Sequence, residues 1–318
     1  MNKRQLGNSS LSITPLVLGG NVFGWTADEA TSFAVLDAFV AGGGNAIDTA
    51  DGYSVWVPGH VGGESETIIG KWLKQRGRRD DVVIATKVGW EVNAENKGLA
   101  KNYILRAVEG SLKRLQTDYI DLYQSHKDDP TVPVEETLEA YAQLVKEGKV
   151  RVIGASNFSA DRLRESLQAS EQHGFPRYES LQPLYNLYDR AEFEQELLPL
   201  CQEYNVGVIP YYGLASGFLT GKYRSEADLK KSARGGGVGQ KYLNEKGLSI
   251  LAALDAASAR LNATPAQVAL AWIMAQPGLT APIASATSVA QVEELLKATD
   301  LQLDAETLEQ LEDASVAA

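Results

Sequence analysis

Eight short apolar runs recur along this chain, and between them lie amphipathic stretches of helical period. The runs are 15–19 (PLVLG), 45–48 (NAID), 82–87 (VVIATK), 120–126 (IDLYQSH), 150–156 (VRVIGAS), 180–184 (SLQPL), 206–211 (VGVIPY) and 281–285 (APIAS). Several are apolar on both faces, as strands of a covered parallel sheet must be. Val134, Leu138, Tyr141 and Val145 share one helical face, as do Phe193, Leu197, Leu200 and Tyr204, and Ile104, Val108 and Leu115. Ser159 before DRLRESLQAS, and Thr264 before Pro265, predict helix N-caps.

Eight strand–helix alternations predict an α/β chain folded as a (β/α)8 barrel. A doubly wound open sheet would place a glycine fingerprint after its first strand, and LGGNVFGW lacks the GxGxxG spacing. With 318 residues and no linker or repeat, one barrel domain over 1–318 is expected. An N-terminal hairpin (RQL, a GNS turn, LSI) precedes the first barrel strand. After the seventh strand, residues 214–247 form the longest irregular segment, and its basic, glycine-rich KKSARGGGVGQ portion predicts a mobile functional loop.

Charge and composition narrow the function. A net charge of -11 and a pI near 4.9 oppose binding to nucleic acid or to an anionic membrane. The single cysteine, Cys201, excludes a disulfide and a cysteine-based zinc site, and three histidines argue against a multi-histidine metal centre. No signal peptide or apolar span is visible, so a cytoplasmic location is expected.

Barrel enzymes work at the C-terminal ends of their strands. Those ends carry Asp48, with Tyr53 in the following loop; then Lys87; His126; Ser156 and Asn157; Gln182; Tyr211; and Ser285 with Thr287. An aspartate, a lysine and a phenol aimed into one mouth are the ingredients of tuned acid–base chemistry. Trp25, Trp56 and Trp90 follow the first three strands and form a candidate aromatic substrate pocket, rimmed by the His60-bearing insertion WVPGHVGG.

The motifs GNAIDTADGY, VIATKVG, YIDLYQSHKDD, GKVRVIGASNFS, LQPLYNLYDR, GVIPYYGLASGFLTGKY and SATSVAQVEELL together resemble those of the aldo-keto reductases over essentially the whole chain. The resemblance implies a catalytic tetrad of Asp48, Tyr53, Lys87 and His126. Tyr53 would protonate the alkoxide left by hydride addition, Lys87 would lower its pKa, Asp48 would hold Lys87, and His126 would orient the carbonyl oxygen. It also implies NADP(H), with weaker use of NAD(H). Ser156, Asn157 and Gln182 would hold the carboxamide, and Tyr211 would stack on the ring. Leu214, Ser216, Gly217 and Lys222 would wrap the pyrophosphate, Gly20 and Asn21 would touch the cofactor, and Ser285, Thr287, Gln291 and Glu294 would bind the adenosine end, with Arg234 folding over it.

The sequence departs from many relatives at Tyr212-Gly213, where Ser-Pro is common, at Leu295, where asparagine is usual, and at Ser285 and Gln291, where some carry basic residues. The activity implied is reduction of small aldehydes or ketones. Two other readings are a cofactor-binding regulatory subunit of the channel-auxiliary type, and a Schiff-base lyase with Lys87 as nucleophile. The complete tetrad and the absence of an extended N-terminal segment weigh against the channel-auxiliary reading.

Overall fold

Each of the eight predicted runs forms a strand in the computed structural model, which describes residues 1–231 and 235–316. A two-stranded antiparallel hairpin comes first, β1 (Arg4–Gln5) with β2 (Ser12–Ile13). The barrel strands follow: β3 (Val17–Gly19), β4 (Ala46–Asp48), β5 (Val83–Val88), β6 (Ile120–Ser125), β7 (Val150–Ser156), β8 (Tyr178–Gln182), β9 (Gly207–Val208) and β10 (Ile283–Ala284). They pair in parallel in chain order from β3 to β9, and β10 pairs with β3. The circle closes where Thr280 N donates to Val208 O at 2.8 Å and Ile283 N to Pro210 O at 2.9 Å.

Strand alternation builds two cores. One set of side chains (Val17, Ala46, Ala85, Leu122, Val152, Ile209 and Ile283) fills the barrel interior, and the hairpin's Leu6, Leu11 and Ile13 plug its lower end. The alternate set (Leu18, Ile47, Ile84, Tyr123, Ile153, Leu181 and Val208) packs outward against the helices. Two residues beyond Ala46, Ala85, Leu122 and Ser180, the same parity brings in Asp48, Lys87, Gln124 and Gln182. These side chains form a polar layer above the apolar one.

The surrounding helices are α1 (Glu29–Ala41), α2 (Glu64–Arg76), α3 (Lys101–Leu115), α4 (Val134–Lys146), α5 (Ala160–His173), α6 (Leu198–Glu203), α7 (Gly235–Tyr242), α8 (Glu245–Leu261), α9 (Pro265–Ala275), α10 (Val289–Lys297) and α11 (Ala305–Val316). Ser159 caps α5 by accepting from Arg162 N, and Thr264 caps α9 in a reciprocal box with Gln267. Phe193–Leu197 is a π-helical turn leading into α6, so the predicted face is kept but wound more loosely. Among the described residues no helix is long and apolar enough to cross a membrane.

The segment after β9 differs from expectation. It contains 3-10 turns at Ala215–Thr220 and Glu226–Lys231, and the glycine-rich portion is the helix α7. A Cβ on Gly235 would stand 1.7 Å from Leu229 O, and one on Gly239 2.4 Å from Leu229 Cδ1. These two glycines allow a close backbone contact here.

Gly70 on α2 is equally constrained, because a Cβ would lie 2.0 Å from Arg114 O and 2.7 Å from Leu115 C on α3. Gly70→Ala is expected to force the two helices apart at a cost of about 1–3 kcal/mol, despite alanine's better helix propensity. A denaturation midpoint equal to the parent's would contradict that contact.

Candidate active site

Three titratable side chains meet at the C-terminal mouth of the barrel. Lys87 extends from β5, is fully buried, and donates to Asp48 Oδ2 at 2.6 Å, Tyr53 Oη at 2.8 Å and the Thr49 carbonyl at 2.8 Å. Tyr53 Oη also lies 3.1 Å from Asp48 Oδ2. The other oxygen of Asp48 accepts from Gln182 Nε2 at 2.9 Å and Gln124 Nε2 at 3.3 Å. Asp48 therefore sits on β4 with an ammonium on one side and two amides on the other. Gln124 was not singled out by the sequence reading; the signal was there, a glutamine of inward parity inside IDLYQSH.

The electrostatics follow from burial. Lys87 is pushed below the usual ammonium range by burial, with Asp48 pulling the other way. Tyr53 is held well above the usual phenol range, first by burial and then by the Asp48 carboxylate. The sequence reading expected Lys87 to lower it. In this arrangement the ammonium is answered by Asp48, so its pull on the phenol is outweighed and Tyr53 is a firmly protonated phenol at neutral pH. His126 follows β6, packs 5.9 Å from the Tyr53 ring and 5.1 Å from Trp90, and is held well below the usual imidazole range by burial and by Lys87 and Lys127. A neutral imidazole keeps one N–H to donate.

From this centre a cleft of about 840 Å³ runs across the mouth to α10. Asp48, Tyr53, His126, Ser156, Asn157, Gln182, Tyr211, Leu214, Ser216, Gly217, Lys222, Ser285, Thr287, Gln291, Glu294, Asn21 and the three tryptophans all line it. Lys87 lies beneath its floor. Gly19 lines it in place of Gly20, whose N–H donates to Asp48 O at 2.7 Å and whose carbonyl accepts from Ser65 Oγ at 2.7 Å. Arg234 lies outside the described residues. His60 is not among the lining residues, though its loop supplies Trp56. Val22, Thr26, Thr220 and Ala266 line the cleft without having been anticipated.

The polar groups are cross-braced. Asn157, at φ 54°, donates from Nδ2 to His126 O at 2.9 Å and accepts from Tyr211 Oη at 2.8 Å. Ser156 Oγ donates to Gln182 O at 2.8 Å, and Gln182 spends its amide N–H on Asp48. Trp25 and Trp56 meet edge to face at 5.6 Å, and Trp56 lies 6.1 Å from Tyr53. At the far end Gln291 Oε1 accepts from Thr287 N at 2.8 Å, and Ser288 caps α10. Glu294 accepts from Thr264 Oγ1 at 2.7 Å. Ala215, Ser216 and Gly217 take successive positive φ values of 47°, 57° and 92°, a turn close to Lys222. Among the described residues no group of three His, Cys, Asp or Glu could hold a metal ion.

An acid–ammonium–phenol chain thus stands at the C-terminal rim of a parallel barrel and opens onto a long cleft, the end at which barrel enzymes carry their working residues. The sequence profile of the Aldo/keto reductase family matches residues 15–316, and the chain belongs to that family of oxidoreductases. It is 38% identical to "Uncharacterized oxidoreductase YrpG" of Bacillus subtilis (strain 168), over 98% of this chain and 95% of that protein. It is 36% identical to "Aldo-keto reductase YhdN" of the same organism, over 94% and 87%. It is 33% identical to "Probable voltage-gated potassium channel subunit beta" of Oryza sativa subsp. japonica, over 95% and 92%.

Proposed function

We propose that this protein reduces the carbonyl group of small aldehydes or ketones to an alcohol, using NADP(H) and Tyr53 as general acid. The observation that carries the reading is the Lys87–Tyr53 contact of 2.8 Å at the inner end of the cleft. Asp48, Tyr53, Lys87 and His126 are the proposed catalytic groups.

The cleft suits a dinucleotide. A Cβ on Gly19 would come within 2.5 Å of Ser285 Oγ, so the wall between β3 and β10 leaves no room for a side chain and backbone borders the space. The positive-φ turn at 215–217, Lys222 and the N-terminus of α10 are suited to anionic phosphates. Ser156, Asn157 and Gln182 would hold the carboxamide, Tyr211 would stack on the ring, and Asn21, Leu214, Ser285, Thr287, Gln291 and Glu294 would line the rest. The bound nicotinamide would supply a hydride to the carbonyl carbon. His126 would donate a hydrogen bond to the carbonyl oxygen and hold it toward Tyr53. The phenol proton would pass to that oxygen as the alcohol forms, and the phenolate left behind would face Lys87 until solvent reprotonates it. Trp25, Trp56 and Trp90 would exclude water around the substrate.

The Schiff-base reading finds no support, because all three Lys87 donors are engaged and the side chain has no exposed surface. A panel of carbonyl compounds assayed with NADPH and NADH tests the proposal, and no turnover with any of them would count against it. NADPH is expected to be preferred by roughly 10- to 100-fold in kcat/KM. The donors of Lys222, Thr287, Ser288 and Gln291 would favour a 2′-phosphate, and added salt should weaken that preference. A clear preference for NADH would refute it.

A further inference from the structure

Behind the Asp48–Lys87–Tyr53 chain, where α2 and α3 cover the barrel wall, lies a second set of buried groups with no part in the reaction described above. Glu66 on α2 is fully buried and has both oxygens occupied. Oε1 accepts from Thr86 Oγ1 at 2.5 Å and Oε2 from Arg114 Nε at 2.7 Å. Asp51 lies in the turn between Asp48 and Tyr53, is 6% exposed, and donates its peptide N–H to the carbonyl of Lys87 at 3.2 Å. Tyr103 of α3 faces its side chain, yet its Oδ1 is buried with no hydrogen-bond partner. Tyr123 Oη on β6 is also buried without one.

The groups that face Asp51 are Glu66 from α2, Arg114 and Tyr103 from α3, Lys87 from β5, Tyr123 from β6 and, more weakly, Tyr141 from α4. Of the two cations, Lys87 has its three protons committed to Asp48, Thr49 and Tyr53, and Arg114 Nε is committed to Glu66. Two buried carboxyls thus share one guanidinium. Leaving both ionised would place an unanswered charge in the barrel wall, so one should carry a proton. Both oxygens of Glu66 are taken up by donors, which leaves the proton to Asp51.

We propose that Asp51 is a positioning residue of the active site, a carboxylic acid kept neutral in the wall behind Lys87 so that no unpaired second carboxylate faces Lys87 and Tyr53 can release its proton. Burial and Glu66 push the Asp51 carboxyl up to about 8, against the pull of Arg114. Once Asp51 ionises, a second negative charge faces the Lys87–Tyr53 pair. A phenolate there is then disfavoured, and proton donation from Tyr53 slows. This consequence rests on the reductase reading; the neutral acid itself does not.

The test is Asp51→Asn, which keeps the shape of the neutral acid and cannot ionise. In the parent, kcat/KM should fall on the basic side from near pH 8, the value to which Asp51 is raised. In D51N that limb should move up by about one pH unit or more. Infrared difference spectra of parent minus D51N at neutral pH should show the C=O stretch of a protonated carboxyl. A carboxyl raised from about 3.9 in the unfolded chain to about 8 when folded makes stability fall as pH rises between those values, and D51N should lack that slope. Coincident pH–rate profiles, a missing carboxyl band, or a folded D51N that turns over at no pH would each overturn the proposal. The band and the stability slope are read without substrate, so their failure is distinct from a parent that reduces no carbonyl, which would overturn the reductase reading.

Discussion

Replacing Tyr53 by phenylalanine is expected to lower carbonyl turnover by about 10²–10⁴-fold while cofactor binding survives. The substitution removes one oxygen and keeps the ring against Trp56 and His126. Lys87 loses one of its three acceptors but keeps Asp48 and the Thr49 carbonyl, so the buried ion pair stays intact. Stability should therefore change little, which separates this variant from one that fails by unfolding. What is lost is the proton for the developing alkoxide, and no other donor stands in the same place, since His126 is a neutral ring that would have to give up its only N–H. Steady-state kinetics with NADPH, together with a fluorescence titration of cofactor binding, measure the two effects separately. Turnover within about threefold of the parent would remove Tyr53 from the role of general acid.

Lys87→Met should be as damaging to activity and also costly to the fold. Asp48 is 1% exposed and Lys87 fully buried, so the substitution leaves a carboxylate in the barrel without its cation. Breaking a buried pair in this way costs about 3–5 kcal/mol. The amides of Gln182 and Gln124 remain on Asp48 Oδ1 and offset part of that cost. Activity should fall by about 10²–10⁴-fold or more, because the phenolate formed at Tyr53 then faces Asp48 with no ammonium to oppose it. The basic limb of any residual pH–rate profile should move upward, since an ammonium that favoured nearby ionisations is gone. Chemical denaturation and the pH profile of a Lys87→Met protein check the two halves. Parent-like stability would contradict the ion pair, and an unmoved basic limb would contradict its electrostatic role.

Much of the site was legible from strand parity. In a barrel, residues two apart face the same side, so the polar residues ending NAID and VVIATK had to project inward above the apolar layer. The caps at Ser159 and Thr264 were equally legible, because a cap is a contact within three residues of its own helix. The segment GGGVGQKY was not legible as a helix. Glycine carries a weak local preference against helix, and the close approach to Leu229 that requires glycine at 235 and 239 is a contact with another segment.

The sequence by itself determined the eight-fold alternation, the N-terminal hairpin, and the set of chemically able side chains at the strand ends. Those follow from periodicity and short-range bonding. Only the tertiary structure decided how the groups act on one another. Lys87 and Asp48 are 39 residues apart and Gln182 and Asp48 are 134 apart, and closure of the barrel brings each pair to 2.9 Å or less. The direction of the Tyr53 shift, and the pairing of Glu66 with Arg114 that leaves Asp51 without a cation of its own, depend on burial and on distances across that closure. Charge interactions in a low-dielectric interior vary with separation and with competing partners, and neither is written in the local order of residues.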